Sequence, residues 1–252
     1  MNTQKFDKVP GLLLFSDYFT KAQCASMVQE SLELYERLEK AYPHQAPQQT
    51  HIPQPEFVRS AQHNLTSEES FVKVNLQANP KENPEEKPEK SQKESPQRNL
   101  RCEYFPRYGE EGHALAYFRG NSNLPGFIDQ EFLSALHRSL NHVEITTPEK
   151  KIQWKLTVNY YKSIADSVAG FPFHVDIPSN GVVTMIMNVQ REAHFQIAKN
   201  DALEEILLPI GSLLMLSGES RYEWKHRVLP MKSVGLAASD GIERVSLVLG
   251  FK

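Results

Sequence analysis

Cysteine is scarce: Cys24 and Cys102 are the only two in 252 residues, too few and too far apart for a disulfide framework, and no Cys-x-x-Cys pair suggests a zinc ribbon. Long apolar runs are missing as well. The longest, Ala114 to Phe118, has five residues, against the ~20 that cross a bilayer, so no membrane span is expected. Neither sign of charge is in excess. Lys and Arg number 28 against 31 Asp and Glu, a net charge of -3, which leaves no electrostatic footprint for tight, unselective binding of nucleic acid. Any such contact has to be local. The stretch Met1-Asn2-Thr3-Gln4-Lys5-Phe6-Asp7 has no apolar signal core behind its Lys, so the cytoplasm is the expected compartment, or the nucleus if the source is eukaryotic. No internal repeat is visible.

What is present suggests one large domain with appendages, since the length divided by ~150 residues per domain gives about 1.7. Val9-Pro10-Gly11-Leu12-Leu13-Leu14-Phe15 reads as a buried strand after a turn. Thr20 with Gln23 makes a capping box, and Cys24, Met27, Val28, Ser31, Leu32, Tyr35 and Leu38 recur at helical spacing to about Ala41. Residues 1–42 are therefore expected to be a strand and helix packed on the core. Residues 43–100 are expected to be a polar, largely disordered insertion. Between Gln77 and Arg98, five basic and five acidic residues alternate with Pro80, Pro84, Pro88 and Pro96 and leave no packable face. Residues 101–252 then form the core, with strand candidates at Trp154–Tyr161, Val182–Val189, Ala193–Ala198, Ser212–Ser217 and Arg244–Phe251. Short strands with no helical pattern between them favour a sandwich, barrel or jelly roll over a parallel sheet.

Three residues suggest a metal. His174 and Asp176 are two apart, so on an extended chain both face the same way. His226 follows 50 residues after Asp176, a span that suits a return strand in an antiparallel sandwich. Two His and one carboxylate form the facial triad that leaves open positions on Fe(II), whereas a closed zinc site takes four ligands. The spacing alone is weak, because a His in a strand more often makes an ordinary hydrogen bond. Strand parity adds to it. Asn159 and Tyr161 share one face, opposite Trp154, Leu156, Val158 and Tyr160; Arg244 and Ser246 share another, opposite Val245, Leu247, Leu249 and Phe251. An inward Arg244 needs a partner, either an acid of this chain or the carboxylate of a dicarboxylate cosubstrate.

The order Asn159-x-Tyr161, His174-x-Asp176, Gly211-Ser212-Leu213-Leu214, Gly218-Glu219-Ser220-Arg221-Tyr222-x-Trp224-x-His226 and Arg244-x-Ser246 resembles the AlkB-type Fe(II)/2-oxoglutarate dioxygenases. The likeness covers about residues 152–252; Pro10-Gly11-Leu12 followed by Asp17-Tyr18-Phe19 is similar to the family's N-terminal start, and residues 43–100 show no match. The resemblance implies a mainly β protein, a double-stranded β-helix (jelly roll) with flanking N-terminal helices and a disordered insertion. It implies that His174, Asp176 and His226 bind iron. Arg244 would then hold the distal carboxylate of 2-oxoglutarate, assisted by Asn159, Tyr161 and Ser246. The implied reaction couples oxidation of 2-oxoglutarate to succinate and CO2 with hydroxylation of a C–H bond, and on an N-methyl group the product releases formaldehyde.

Two departures concern the substrate. Where base-repairing members carry a second acid past the metal Asp, this chain has Pro178, which offers a flipped base no side-chain hydrogen bond. Where their last motif continues to Thr and a second Arg, this chain has Val248 and Gly250, with Lys252 at the same strand parity. Nucleic acid is the first expected substrate, a protein side chain is the second, and a catalytically silent jelly-roll binding module is the third reading. Tyr104, Phe105, Arg107, Tyr108, Tyr117, Phe118 and Arg119 are either core or a lid that stacks on a base. Tyr222 and Trp224 are expected beside His226. The histidines at 44, 51, 63, 113, 137, 142 and 194 receive no role, and the oligomeric state is open.

Overall fold

Alternation with a period of two governs the whole architecture. A computed structural model describes residues 2–41, 72–75, 101–108, 111–120, 154–234 and 241–251. The strands are β1 (Asn2–Lys5), β2 (Leu12–Ser16), β3 (Val72–Asn75), β4 (Arg101–Phe105), β5 (His113–Gly120), β6 (Trp154–Ile164), β7 (Ser167–Val168) and β8 (Phe171–His174). They continue as β9 (Val183–Asn188), β10 (Ala193–Lys199), β11 (Ala202–Leu208), β12 (Ser212–Ser217), β13 (Lys225–Val228), β14 (Met231–Lys232) and β15 (Ile242–Phe251). The helices are α1 (Lys21–Ala41) and the short α2 (Gly218–Tyr222). Most of the expected insertion at 43–100 lies outside the described residues; β3, within it, pairs with β4.

Two antiparallel sheets face each other. The larger runs β1-β2-β12-β9-β15-β6-β5-β4-β3 and the smaller β11-β10-β13-β8, so the fold is a double-stranded β-helix. β2 and β12 of the larger sheet are covered on both sides, which is why Leu12-Leu13-Leu14-Phe15 and Leu213-Leu214-Met215-Leu216 read as unbroken apolar runs. Their outer residues Phe15, Leu213 and Met215 join Met185, Met187, Leu156, Val158, Tyr160, Val245, Leu247 and Leu249 in a core under α1. Their inner residues Leu12, Leu14, Leu214 and Leu216 pack against Phe195, Ile197, Ile206 and Trp224 between the sheets.

The start of α1 follows the capping-box expectation. Gln23 N–H donates to Thr20 Oγ1 at 3.2 Å, and Thr20 N–H donates to Gln23 Oε1 at 2.9 Å. Cys24, Met27, Leu34, Tyr35 and Leu38 are then buried on the sheet, and Tyr160 Oη donates to Ser31 O at 2.9 Å across that interface. Gly11, at φ +85, closes the approach of β2 to the β12–α2 junction: a Cβ there would lie 2.0 Å from Ser217 O.

Candidate metal centre and cosubstrate pocket

β8 and β13 pair antiparallel with His174 opposite His226, which sets the two imidazoles side by side with ring centroids 4.3 Å apart. Asp176 follows two residues past His174, and one ligand atom from each of the three lies within 4.8 Å of the others. His174 Nδ1 donates to Pro172 O at 2.9 Å, and Nε2 lies 3.8 Å from Asp176 Oδ1. His226 is buried against the Phe195 ring, 5.4 Å away, with Nδ1 unpartnered.

Burial dominates the electrostatics here. It lowers His174 and takes His226 down to about 3, so both rings are neutral at ordinary pH, the form in which imidazole binds a metal. Burial alone would raise the Asp176 carboxyl, but His226, His174 and Arg221 around it outweigh that and hold it below its usual range. Asp176 Oδ2 is buried with no hydrogen-bond partner. Two neutral imidazoles and an ionised carboxylate oxygen, desolvated and unsatisfied, fit a divalent ion.

The second part of the site is a cation without an anion. Arg244 is 1% exposed, and among the described residues no carboxylate pairs with it. The neighbouring Glu243 takes Arg191 instead. Arg244 Nε and Nη2 lie 3.3 and 3.1 Å from Asn188 Oδ1, its guanidinium carbon sits 4.4 Å from the Tyr161 ring centre, and Nη1 is buried with no partner. A buried charge left this way is costly and asks for a counter-ion, so the donor set fits a carboxylate. Asn159, Tyr161 and Ser246 are buried on the same inward face, with Ser246 between Asn159 and Asn188 in register. Rings join the two parts: from Tyr161 to His113 is 4.8 Å, from His113 to Phe171 4.8 Å, and from Phe171 to His174 4.4 Å.

Several residues given no role from the sequence belong to this site. Asn188 donates through Nδ2 to Arg191 O, Leu208 O and Pro209 O, which turns its oxygen toward Arg244. The only signal for it was a polar residue closing the apolar run of β9. His113 lies between Tyr108 O, 2.7 Å from Nδ1, and Asn159 Oδ1, 3.2 Å from Nε2. Burial lowers its pKa to about 4. Arg221, also 1% exposed, donates to Asp176 O at 2.8 Å and Ile177 O at 2.7 Å, holding the backbone that carries the Asp176 carboxylate.

Arg221→Met should therefore unfold more easily than the parent. Two part-buried carbonyls lose charge-assisted donors, a cost of about 2–4 kcal/mol, or roughly 5–10 °C in a thermal melt. A melting temperature within 2 °C of the parent would contradict that role. Acid should destabilise the metal-free protein too. The unfolded histidines titrate near ~6.5 while folded His113 and His226 titrate near 4 and 3, so below about pH 6.5 the unfolded chain takes up protons that the folded one refuses. Each ring then costs up to about 1.4 kcal/mol per pH unit until its folded pKa is reached. Melting temperatures measured from pH 7 to 5 should fall steadily, and a flat profile would disprove it.

The aromatic set at 101–119 divides. Tyr104 and Phe118 are core, and the Arg119 side chain lies outside the described residues. Phe105 and Tyr117 stack, and Tyr108, 41% exposed, stacks parallel on Phe171 at 5.9 Å. Trp224 is buried in the cluster between the sheets, whereas Tyr222, expected beside His226, is half exposed against Arg221 at the end of α2. Lys252 is outside the described residues.

Fold and site together define a class, the double-stranded β-helix proteins with a His-x-Asp and distant His cluster on the smaller sheet. Within that class the chain resembles the AlkB-type Fe(II)/2-oxoglutarate dioxygenases. No family model matches it. It is 29% identical over 157 residues to the Xenopus tropicalis protein named tRNA (carboxymethyluridine(34)-5-O)-methyltransferase alkbh8, covering 58% of this chain and 23% of that one. The Mus musculus protein of the same name is 27% identical over 148 residues, covering 57% and 21%. The match thus spans less than a quarter of either relative. Among solved structures, OsALKBH1 aligns with TM-score 0.43 at 12% identity over 100% of this chain and 99% of that one. A Pseudomonas putida prolyl-4-hydroxylase aligns with TM-score 0.35 at 16% identity over 53% and 70%.

Proposed function

We propose that this protein is an Fe(II)/2-oxoglutarate-dependent dioxygenase that oxidatively dealkylates nucleic acid. The observation that carries the oxygenase reading is the buried, acid-free guanidinium of Arg244, joined by a wall of rings to a neutral two-His, one-carboxylate cluster. When bound, iron with 2-oxoglutarate supplies the oxygen activation, turning the cosubstrate into succinate and CO2 as a substrate C–H bond is hydroxylated.

The chain's own residues bind and orient. His174, Asp176 and His226 would hold the metal, with Pro172 O fixing the tautomer of His174. Arg244, steadied by Asn188, would grip the distal carboxylate, while Asn159, Tyr161 and Ser246 would line its path. No general base is needed, because hydroxylation of an N-methyl group gives a hemiaminal that releases formaldehyde unaided. The nucleic-acid substrate is supported by the half-exposed Tyr108 ring stacked on Phe171, a flat apolar step beside the metal cluster that suits an unstacked base. The curated relatives are also named for tRNA. A protein side chain is the second reading, favoured by Pro178 and by the net charge of -3.

Succinate formation with Fe(II), 2-oxoglutarate and oxygen tests the reaction. The parent should produce it and His174→Ala should not; equal background from both would leave a silent binding module. Mass spectrometry of methylated oligonucleotides and of candidate peptides after the same reaction chooses between the two substrates, and demethylated peptide with untouched oligonucleotide would reject nucleic acid. No described helix is long and apolar enough to cross a membrane.

A further inference from the structure

The two departures in the sequence, Pro178 and Gly250, meet in space. Past Asp176 the chain is extended at Ile177, and Pro178 then opens a single 3-10 turn over Pro178–Asn180. Asn180 N–H donates to Ile177 O at 2.9 Å and Gly181 N–H to Pro178 O at 3.0 Å, and Gly181, at φ +95, ends the turn. The proline presets the backbone for this bend. The turn folds onto β15 at Gly250, where a Cβ would lie 1.8 Å from Asn180 O and 2.7 Å from its carbonyl carbon. No side chain fits there while the turn is in place. Seated so, Asn180 Nδ2 donates to Asp176 Oδ1 at 3.3 Å. Asn180 Oδ1 and Asp176 Oδ2 are both buried without partners.

We propose that Asn180 is a positioning residue for the metal carboxylate, held in place by the absence of a side chain at Gly250. The proposal rests on reading His174, Asp176 and His226 as metal ligands. A carboxylate has two oxygens and a free torsion; a donor on Oδ1 fixes that torsion and leaves Oδ2 for the ion. A guanidinium could do this too, but its positive charge would compete with the metal for the same oxygens. A carboxamide fixes the group without that competition. A side chain at 250 and the Pro178–Asn180 turn exclude each other, so the seat of Asn180 depends on Gly250.

The test is a titration of the full chain with Mn(II), reading the free-ion electron paramagnetic resonance signal, alongside melting of the metal-free protein. Asn180→Ala should weaken Mn(II) binding roughly tenfold while the metal-free melting temperature stays within about 2 °C of the parent. Gly250→Ala should weaken it similarly, by lifting the turn with every donor still present. The double variant should be no worse than either single one, since both remove the same hydrogen bond. Parent-like affinity in Asn180→Ala overturns the positioning role, whether or not Gly250→Ala folds. Additive losses in the double variant overturn the link to Gly250. A parent protein that binds no Mn(II) overturns the metal reading and this proposal with it.

Discussion

Arg244→Met should raise the KM for 2-oxoglutarate by about 100-fold or more, from the loss of a charge-assisted, two-pronged hydrogen bond worth roughly 3 kcal/mol. The same change should leave the metal-free protein as stable as the parent. Ordinarily, truncating a buried arginine is destabilising, because its partner is left as an uncompensated charge. Here the partner is the neutral Asn188, and Nη1 has none. Methionine fills the same space without stranding an anion. Arg244→Lys keeps the charge but loses the fork, and its KM should fall between the two. Calorimetry of 2-oxoglutarate with the Mn(II)-loaded protein and a melt of the metal-free protein give the two readouts. An unchanged cosubstrate affinity, or a melting temperature lowered by more than about 5 °C, would show that Arg244 is a structural residue.

That dissociation follows from how the strands are built, and much of it was readable in advance. Strand parity alone separated Arg244 and Ser246 from Val245, Leu247 and Leu249, and the structure buries the two sets on opposite sides of β15. The same holds on β6, where Asn159 and Tyr161 face inward and Val158 and Tyr160 pack toward α1. Six of the strands (β2, β6, β9, β10, β12 and β15) and the capped helix obey local rules and were legible to within a few residues. The supporting residues were not, since each acts through a long-range register. Asn188 reaches Arg244 because β9 lies beside β15, His113 reaches Asn159 because β5 lies beside β6, and Arg221 reaches the Asp176 carbonyl from a turn 45 residues away. No periodicity within one strand encodes those meetings. Tyr222 shows the converse: expected beside His226, it ends the α2 turn instead and lies half exposed against Arg221. The aromatic set at 101–119 was ambiguous for a similar reason, because alternation along β5 sends Phe118 to the core and Tyr117 to the other side.

His226→Leu should abolish metal binding and stabilise the metal-free protein in the same stroke. His226 lies within an apolar environment formed by Phe195 and its neighbours, with Nδ1 unsatisfied and its pKa depressed to about 3. A buried polar nitrogen without a partner costs about 1–3 kcal/mol, and leucine, of similar volume, removes that cost and adds apolar contact. The melting temperature should therefore rise by roughly 3–8 °C without metal. With Mn(II) the order should reverse: the parent gains stability in proportion to ligand over Kd, while the variant gains none. The acid sensitivity below about pH 6.5 should also become shallower, because one of the rings that resist protonation is gone. A structural histidine would behave oppositely, losing stability on replacement and leaving metal-dependent stabilisation intact. An imidazole kept where leucine would be more stable is the mark of a site completed by a ligand, and these paired melts are what test that reading of His174, Asp176 and His226.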